Sequence, residues 1–186
     1  LNREGRHPVG FLFFLMGLSI SLWLLCFSVM YCAVLEKPAL FWARLAYLGV
    51  AFIPTTIFHF SAGVLKLNSS IRFWIKTAWI VSALFATAIV NTHGLIAGLY
   101  RYPWGFYPRY GSLGAPWLIF FFGLMLATFY LYLRAYHHAH SKTERHRIRW
   151  LLGSFLIVYL GSVDYLAKYG IPIYPFGYIP VLIFLV

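Results

Sequence analysis

Arg44 and Asp164 are the two charged residues whose positions in the sequence most need a chemical explanation. Both fall inside long apolar runs, where an ionisable side chain is costly and by default marks a partner or a function. Each lies about five residues from the same end of the predicted bundle, which is roughly 7–8 Å deep at the rise of a helix. Equal depth predicts an Arg44–Asp164 ion pair. A role in fixing helix packing is favoured over ligand binding or switching.

Pro54 and His59 lie deeper in the run that carries Arg44. Proline frees a backbone carbonyl, and the hydroxyls of Thr55 and Thr56 can satisfy such groups; a static kink is slightly favoured over a hinge. His59 has no second histidine at similar depth, which disfavours a haem held by two histidines. We therefore expect His59 to be a hydrogen-bonded packing residue rather than a ligand contact or proton sensor.

An aromatic loop spans residues 99–110 and contains six aromatic residues and two arginines. Tyr and Trp favour the membrane–water boundary, because one end of each ring system is apolar and the other is polar. The favoured interpretation is an interfacial cap over the bundle. The alternative is a lid over a pocket, in which Trp104 and either Arg101 or Arg109 would meet an anionic ligand or head group.

A histidine-rich segment, residues 136–147, has one pair at helical metal-ligand spacing, His137 and His140. Its neighbours are cationic, which disfavours a divalent ion, so we expect no metal site. A basic loop facing anionic lipids explains the same residues.

The composition excludes a soluble protein. The chain has 186 residues, of which 62% are hydrophobic and 10% charged, with a formal net charge of +11, whereas soluble domains average about 45–50% apolar and about 25% charged residues. The apolar excess must face lipid, which also excludes a soluble nucleic-acid binder despite the basic charge.

Apolar runs long enough to cross a bilayer recur along the chain. They predict an all-α membrane protein, a single polytopic bundle over residues 1–186 with five complete transmembrane helices and a truncated sixth. The expected helices cover about residues 11–34, 39–65, 73–90, 117–136, 150–167 and 171–186.

Basic residues predict the orientation, because cytoplasmic loops are enriched in Lys and Arg. Ten of the 15 Lys and Arg residues fall in the N-terminal segment and in the second and fourth connections, and four fall on the opposite side. We therefore expect the first residue and the loop 137–149 to be cytoplasmic and the loop 91–116 to be outside.

Two stretches carry a resemblance to a known family. The segment 40–54, LFWARLAYLGVAFIP, and the following Phe58-His59-Phe60 resemble the N-terminal seven-transmembrane region of bacterial sensor histidine kinases. The segment 149–153, then Gly161, Asp164 and the segment 170–177, is similar to the connection between the fifth and sixth helices of that family. The resemblance runs from about residue 11 to the end.

The resemblance implies a seven-helix bundle in the bacterial inner membrane, with one helix before Leu1 and the rest of the sixth and a seventh after Val186. It also implies a sensory input module that signals to a cytoplasmic output domain. The chain itself shows no phosphoacceptor helix, ATP lid or Gly-rich phosphate loop, so we expect no catalytic residue and no enzyme activity.

The residues are also compatible with two other functions. One is a non-catalytic subunit of a larger respiratory or photosynthetic membrane complex; the other is a membrane enzyme or transporter, for which a single intramembrane carboxylate is thin support. The expected partners are membrane lipids, a small ligand at the outer face, and either other membrane subunits or an output domain. We expect no cofactor and no nucleic acid.

Overall fold

The computed structural model describes residues 8–67, 70–177 and 179–180. Most of these residues are helical. The helices are α1 (Pro8–Cys32), α2 (Glu36–Val64), α3 (Ile71–Asn91), α4 (Gly114–His138), α5 (Lys142–Leu160) and, after one 3-10 turn at Gly161–Val163, the short α6 (Asp164–Ala167).

Among the described residues, five helical segments are long and apolar enough to cross a membrane, the fifth running from Lys142 to Ala167 through the 3-10 turn. This confirms the predicted number of complete spans. Helix α5 begins two turns earlier than expected, where the hydroxyl of Ser141 accepts a hydrogen bond from the Glu144 backbone N–H at 3.0 Å. A side-chain acceptor of this kind satisfies a free donor at a helix start.

Helix α2 lies at the centre of the bundle and is the most buried span. It packs against α1, α3 and α4, while α5 packs on α4. Gly49 allows α1 to approach closely, because a Cβ there would lie 2.6 Å from the Ser19 carbonyl oxygen. The other spans expose large apolar side chains, such as Leu84 and Ile119, as expected for surfaces that face lipid.

The aromatic loop forms a β-hairpin, so the all-α expectation is wrong for this segment. Strand β1 (Ile96–Tyr102) pairs antiparallel with β2 (Gly105–Tyr110), and Tyr102 lies opposite Gly105 across a tight turn. Aromatic side chains are favoured in strands, and Gly105 adopts the φ of +130° that this turn requires.

The predicted sixth helix does not begin at Ile171. Residues 171–176 form neither helix nor strand, because Pro172 and Pro175 lack backbone donors and bias the preceding residues towards extended conformations. Ile179 and Pro180 are helical. The rest of the predicted helix, residues 181–186, lies outside the described residues.

Candidate functional site

A buried lysine marks the end of the bundle that carries the hairpin. Lys168 follows α6 directly and is only 4% exposed. Its ammonium lies near five ring centroids, at 4.2 Å from Tyr165, 5.2 Å from Tyr47, 5.6 Å from Tyr110, 5.8 Å from Tyr107 and 6.0 Å from Phe27. We call these five rings the aromatic cage. Such distances allow cation–π attraction, which strengthens when the cation is removed from water.

Four parts of the fold supply the cage. Phe27 comes from α1, Tyr47 from α2, Tyr107 and Tyr110 from β2, and Tyr165 from α6. The Tyr47 hydroxyl donates a hydrogen bond to the Tyr110 hydroxyl at 2.9 Å, which ties the central helix to the hairpin. The Lys168 ammonium therefore faces side chains from α1, α2, β2 and α6 at once.

The hairpin is also hydrogen-bonded to the backbone of the α6 segment. The Tyr107 hydroxyl donates to the carbonyl oxygen of Asp164 at 3.1 Å, and the Tyr102 hydroxyl donates to that of Ala167 at 2.8 Å. The Tyr110 backbone N–H donates to the Lys168 carbonyl oxygen at 3.3 Å. These three bonds join the hairpin and α6 into one unit.

Asp164 lies one helical turn before Lys168 and is 9% exposed. Its Oδ1 accepts a hydrogen bond from the Gly177 backbone N–H at 2.8 Å. A Cβ at residue 177 would collide with the other carboxylate oxygen, and a Cβ at Gly161 would lie 3.1 Å from the Gly177 carbonyl oxygen. Two glycines thus let the chain after α6 fold back over the carboxylate.

Burial shifts the pKa of the lysine and of two tyrosines at the hairpin end of the bundle. It lowers the pKa of Lys168 to about 7, although the nearby Asp164 carboxylate acts in the opposite direction. Burial also raises the pKa of Tyr107 and Tyr110 well above the usual value for a phenol. Both phenols are therefore neutral near pH 7, where Lys168 can gain or lose its proton.

Two adjoining cavities reach Asp164, and the smaller of them also reaches Lys168. A cavity of about 60 Å³ is lined by Trp23, Ser162, Asp164 and Lys168, among others. A second cavity of about 310 Å³ shares Trp23 and Asp164 and is bounded by Tyr174. Among the described residues, the buried indole N–H of Trp23 has no hydrogen-bond partner, and no carboxylate forms an ion pair with the Lys168 ammonium. The site can therefore offer donors and an acceptor to a small polar group.

The sequence of the whole chain matches one protein family. The sequence model for the N-terminal 7TM region of histidine kinase matches residues 1–186. This chain belongs to that family. No curated protein and no solved structure matches it.

Membership gives the 7TM region its general character. The chain is a multi-pass membrane region and a non-catalytic sensory input domain. Nothing in the comparisons supports the alternative of a subunit of a respiratory or photosynthetic complex. The described residues contain no cluster of three or more His, Cys, Asp or Glu side chains able to hold a metal ion.

The 7TM region does not bring Arg44 and Asp164 together. An Nη2–H of Arg44 donates to Nδ1 of His93 at 2.6 Å, just beyond the end of α3. Asp164 instead lies beside Gly177 and Lys168. The cation near Asp164 is thus Lys168, four residues later in the same segment, and not Arg44 of α2.

The stretch of α2 that contains Pro54 and His59 forms local hydrogen bonds away from the cage. The Thr56 hydroxyl bonds to the carbonyl oxygens of Phe52 and Ile53, at 2.9 and 3.0 Å, across the proline turn. The indole N–H of Trp79 donates to Nδ1 of His59 at 3.2 Å. Thr56 and Trp79 thus supply the hydrogen bonds recorded around Pro54 and His59.

The hairpin candidates divide into two kinds. Arg101 and Arg109 are exposed and lie over the rings of Phe106 and Tyr100, at 5.4 and 5.9 Å. Trp104 stacks on Tyr102 with ring centroids 4.6 Å apart, and it meets Tyr174 edge-on at 5.7 Å. Trp104 therefore connects the hairpin turn to the segment that borders the larger cavity.

Lys168 is not among the site residues predicted from the sequence, where it is one more cation in a loop. The available signal was the spacing of Asp164 and Lys168, since an acidic residue four positions before a lysine places both on one helical face. Their location at the end of an apolar run would then have suggested a buried charged pair.

Proposed function

We propose that this histidine kinase 7TM region receives its signal at the hairpin end, where a small ligand enters the adjoining cavities and acts on Asp164 and Lys168. The observation that carries the proposal is the placement of the Lys168 ammonium inside rings from α1, α2, the hairpin and α6. A group that draws this cation out of the cage changes the contacts of all four elements at once.

Helix α5 is the expected route of transmission. It runs from the basic end of the bundle and is continuous with α6 through the 3-10 turn at Gly161–Val163. A short 3-10 segment inside a longer helix often marks a hinge. Movement of α6 would therefore shift α5 and its packing against α4, in the manner of a helix displacement in other switches.

The proposed orientation places the hairpin outside the bacterial inner membrane and the basic end in the cytoplasm. Its support is the asymmetry of Lys and Arg, since Lys66, Arg134 and Lys142 all lie at the helix ends opposite the hairpin. A cytoplasmic output domain would then receive the displacement on the basic side.

The test uses the complete native polypeptide in membrane vesicles. Lys168→Met removes the ammonium and keeps much of the side-chain length, whereas Lys37→Met removes an exposed lysine near the same end of the bundle. We expect Lys168→Met to change the basal rate of autophosphorylation several-fold, and Lys37→Met to leave it unchanged. Equal rates for wild type and Lys168→Met, with equal amounts of folded protein, would contradict the proposal.

A further inference from the structure

Helices α3 and α4 leave an open groove between them, with α2 at its floor. Both helices pack against α2 and far less against each other. The groove has a volume of about 480 Å³, and its lining is almost wholly apolar, with Phe58 and Ala78 buried at its floor and Trp74 and Tyr130 exposed at its rim.

The groove has the length of one leaflet. Along α3 its lining extends from Ile71 to Val81, which is about 15 Å at the rise of an α-helix. Half of a hydrocarbon core of about 30 Å is the same length. An acyl chain in one leaflet could therefore lie along the groove from end to end.

A basic pocket continues the groove at the end opposite the hairpin. The two spaces share Ile71 and Leu131, and the pocket has a volume of about 490 Å³. Its charged lining consists of Lys66, Arg134 and Arg147 against one carboxylate, Glu144, and His138 adds a further titratable group.

These three cations are free to bind an anion. In the described part of the chain, none of them forms an ion pair with a carboxylate. All three are exposed at the end of the groove, where the phosphate of a lipid would lie if its chain filled the apolar part. A transmembrane helix seated in the groove would leave this positive charge without a counterpart.

We propose that the groove and the basic pocket together form a binding site for one anionic phospholipid, with an acyl chain between α3 and α4 and the phosphate among Lys66, Arg134 and Arg147. An apolar space as long as one leaflet continues into a pocket whose charge is opposite to that of the head group. The site lies at the other end of the bundle from the Lys168 cage and does not depend on the function proposed for that cage.

Two pairs of variants test the two halves of the site. Arg134→Gln combined with Arg147→Gln removes pocket charge, and Arg149→Gln removes an exposed arginine of the same helix that does not line the pocket. Gly123→Leu fills the groove, because a Cβ there meets nothing within 4 Å; Gly153→Leu adds the same side chain at an equally open glycine outside the groove.

The measurement is native mass spectrometry of the purified full-length protein titrated with phosphatidylglycerol, phosphatidylcholine or inorganic phosphate. We expect one phosphatidylglycerol to bind, with affinity reduced about tenfold or more in the double arginine variant and also reduced by Gly123→Leu. Both control variants should bind like wild type, and phosphatidylcholine and phosphate should bind weakly. Thermal unfolding of each variant confirms that it is folded.

Three results would overturn the proposal. Equal binding of both lipids would show that the pocket does not select charge. Loss of lipid in the arginine variant but not in Gly123→Leu would reduce the site to surface attraction. Dimers that Gly123→Leu abolishes, with no bound lipid, would assign the groove to a second copy of the chain.

Discussion

The phenolic hydroxyl of Tyr107 donates a hydrogen bond to the backbone carbonyl oxygen of Asp164 at 3.1 Å. One strand of the hairpin is thus attached to the turn that carries the carboxylate of the candidate site. The Lys168 ammonium lies 5.8 Å from the centroid of the Tyr107 ring, so one side chain holds the backbone of Asp164 and also faces the ammonium of Lys168. This relationship makes the hairpin a component of the site rather than a separate cap.

Lys168 predicts a specific dependence of stability on pH. Its pKa is lowered to about 7 in the folded protein, against about 10.4 in an unfolded chain. Between these values the unfolded state binds more protons, so the free energy of unfolding increases as the pH rises. We expect the thermal midpoint of the detergent-solubilised protein to rise by several degrees from pH 7 to about pH 9.5.

Two lysine variants separate this effect from other titrations. Lys168→Met should flatten the pH profile over that range, while Lys37→Met should retain the wild-type slope because Lys37 is exposed. An unchanged slope in Lys168→Met would show that the ammonium is not buried in the folded protein.

A side chain at residue 177 is expected to destabilise the protein. A Cβ at this position would lie 2.8 Å from the backbone carbonyl oxygen of Gly161 and would also collide with a carboxylate oxygen of Asp164, so Gly177→Ala should destabilise the protein by about 1–3 kcal/mol, as overpacked sites do. The matched control is Gly153→Ala, where the added Cβ meets nothing within 4 Å and the helix interior favours alanine. Thermal unfolding of both variants measures the difference, and equal midpoints would argue against the observed contact.

The partner of Arg44 can be decided by double-mutant cycles. Arg44→Gln and His93→Gln should couple by at least about 0.5 kcal/mol, because each removes the same hydrogen bond. Arg44→Gln and Asp164→Asn should add independently. The reverse pattern, with coupling to Asp164 and none to His93, would restore the ion pair that equal depth in the sequence suggested.

Cysteine labelling in intact cells tests the proposed orientation. Cys32 is exposed, so the background is first removed by Cys32→Ser. A cysteine introduced at Ser112, next to the hairpin, should then react with a membrane-impermeant reagent, and one introduced at Ser141 should not. Both serines are exposed in the fold, so reaction at residue 141 alone would invert the topology.

The spans and the charge asymmetry follow from the sequence by itself. Each span depends on the summed apolar character of about 20 neighbouring residues, and the sidedness of basic residues is likewise a property of local segments. For this reason the five predicted spans correspond to five long helices, and the family resemblance is confirmed. The hairpin was not predicted because aromatic residues are common both in loops at the membrane interface and in paired strands.

The site itself was decided by tertiary structure. The rings around Lys168 come from residues 27, 47, 107, 110 and 165, and no local pattern relates positions so far apart. Their meeting depends on the close packing of α1 on α2 at Gly49 and on the register of the hairpin. The partner of Arg44 also depends on packing. It is His93, which lies just after the end of α3, and not the residue at equal depth on another helix. Depth along a helix is a local quantity, whereas the direction in which a side chain finds its partner depends on how the helices pack.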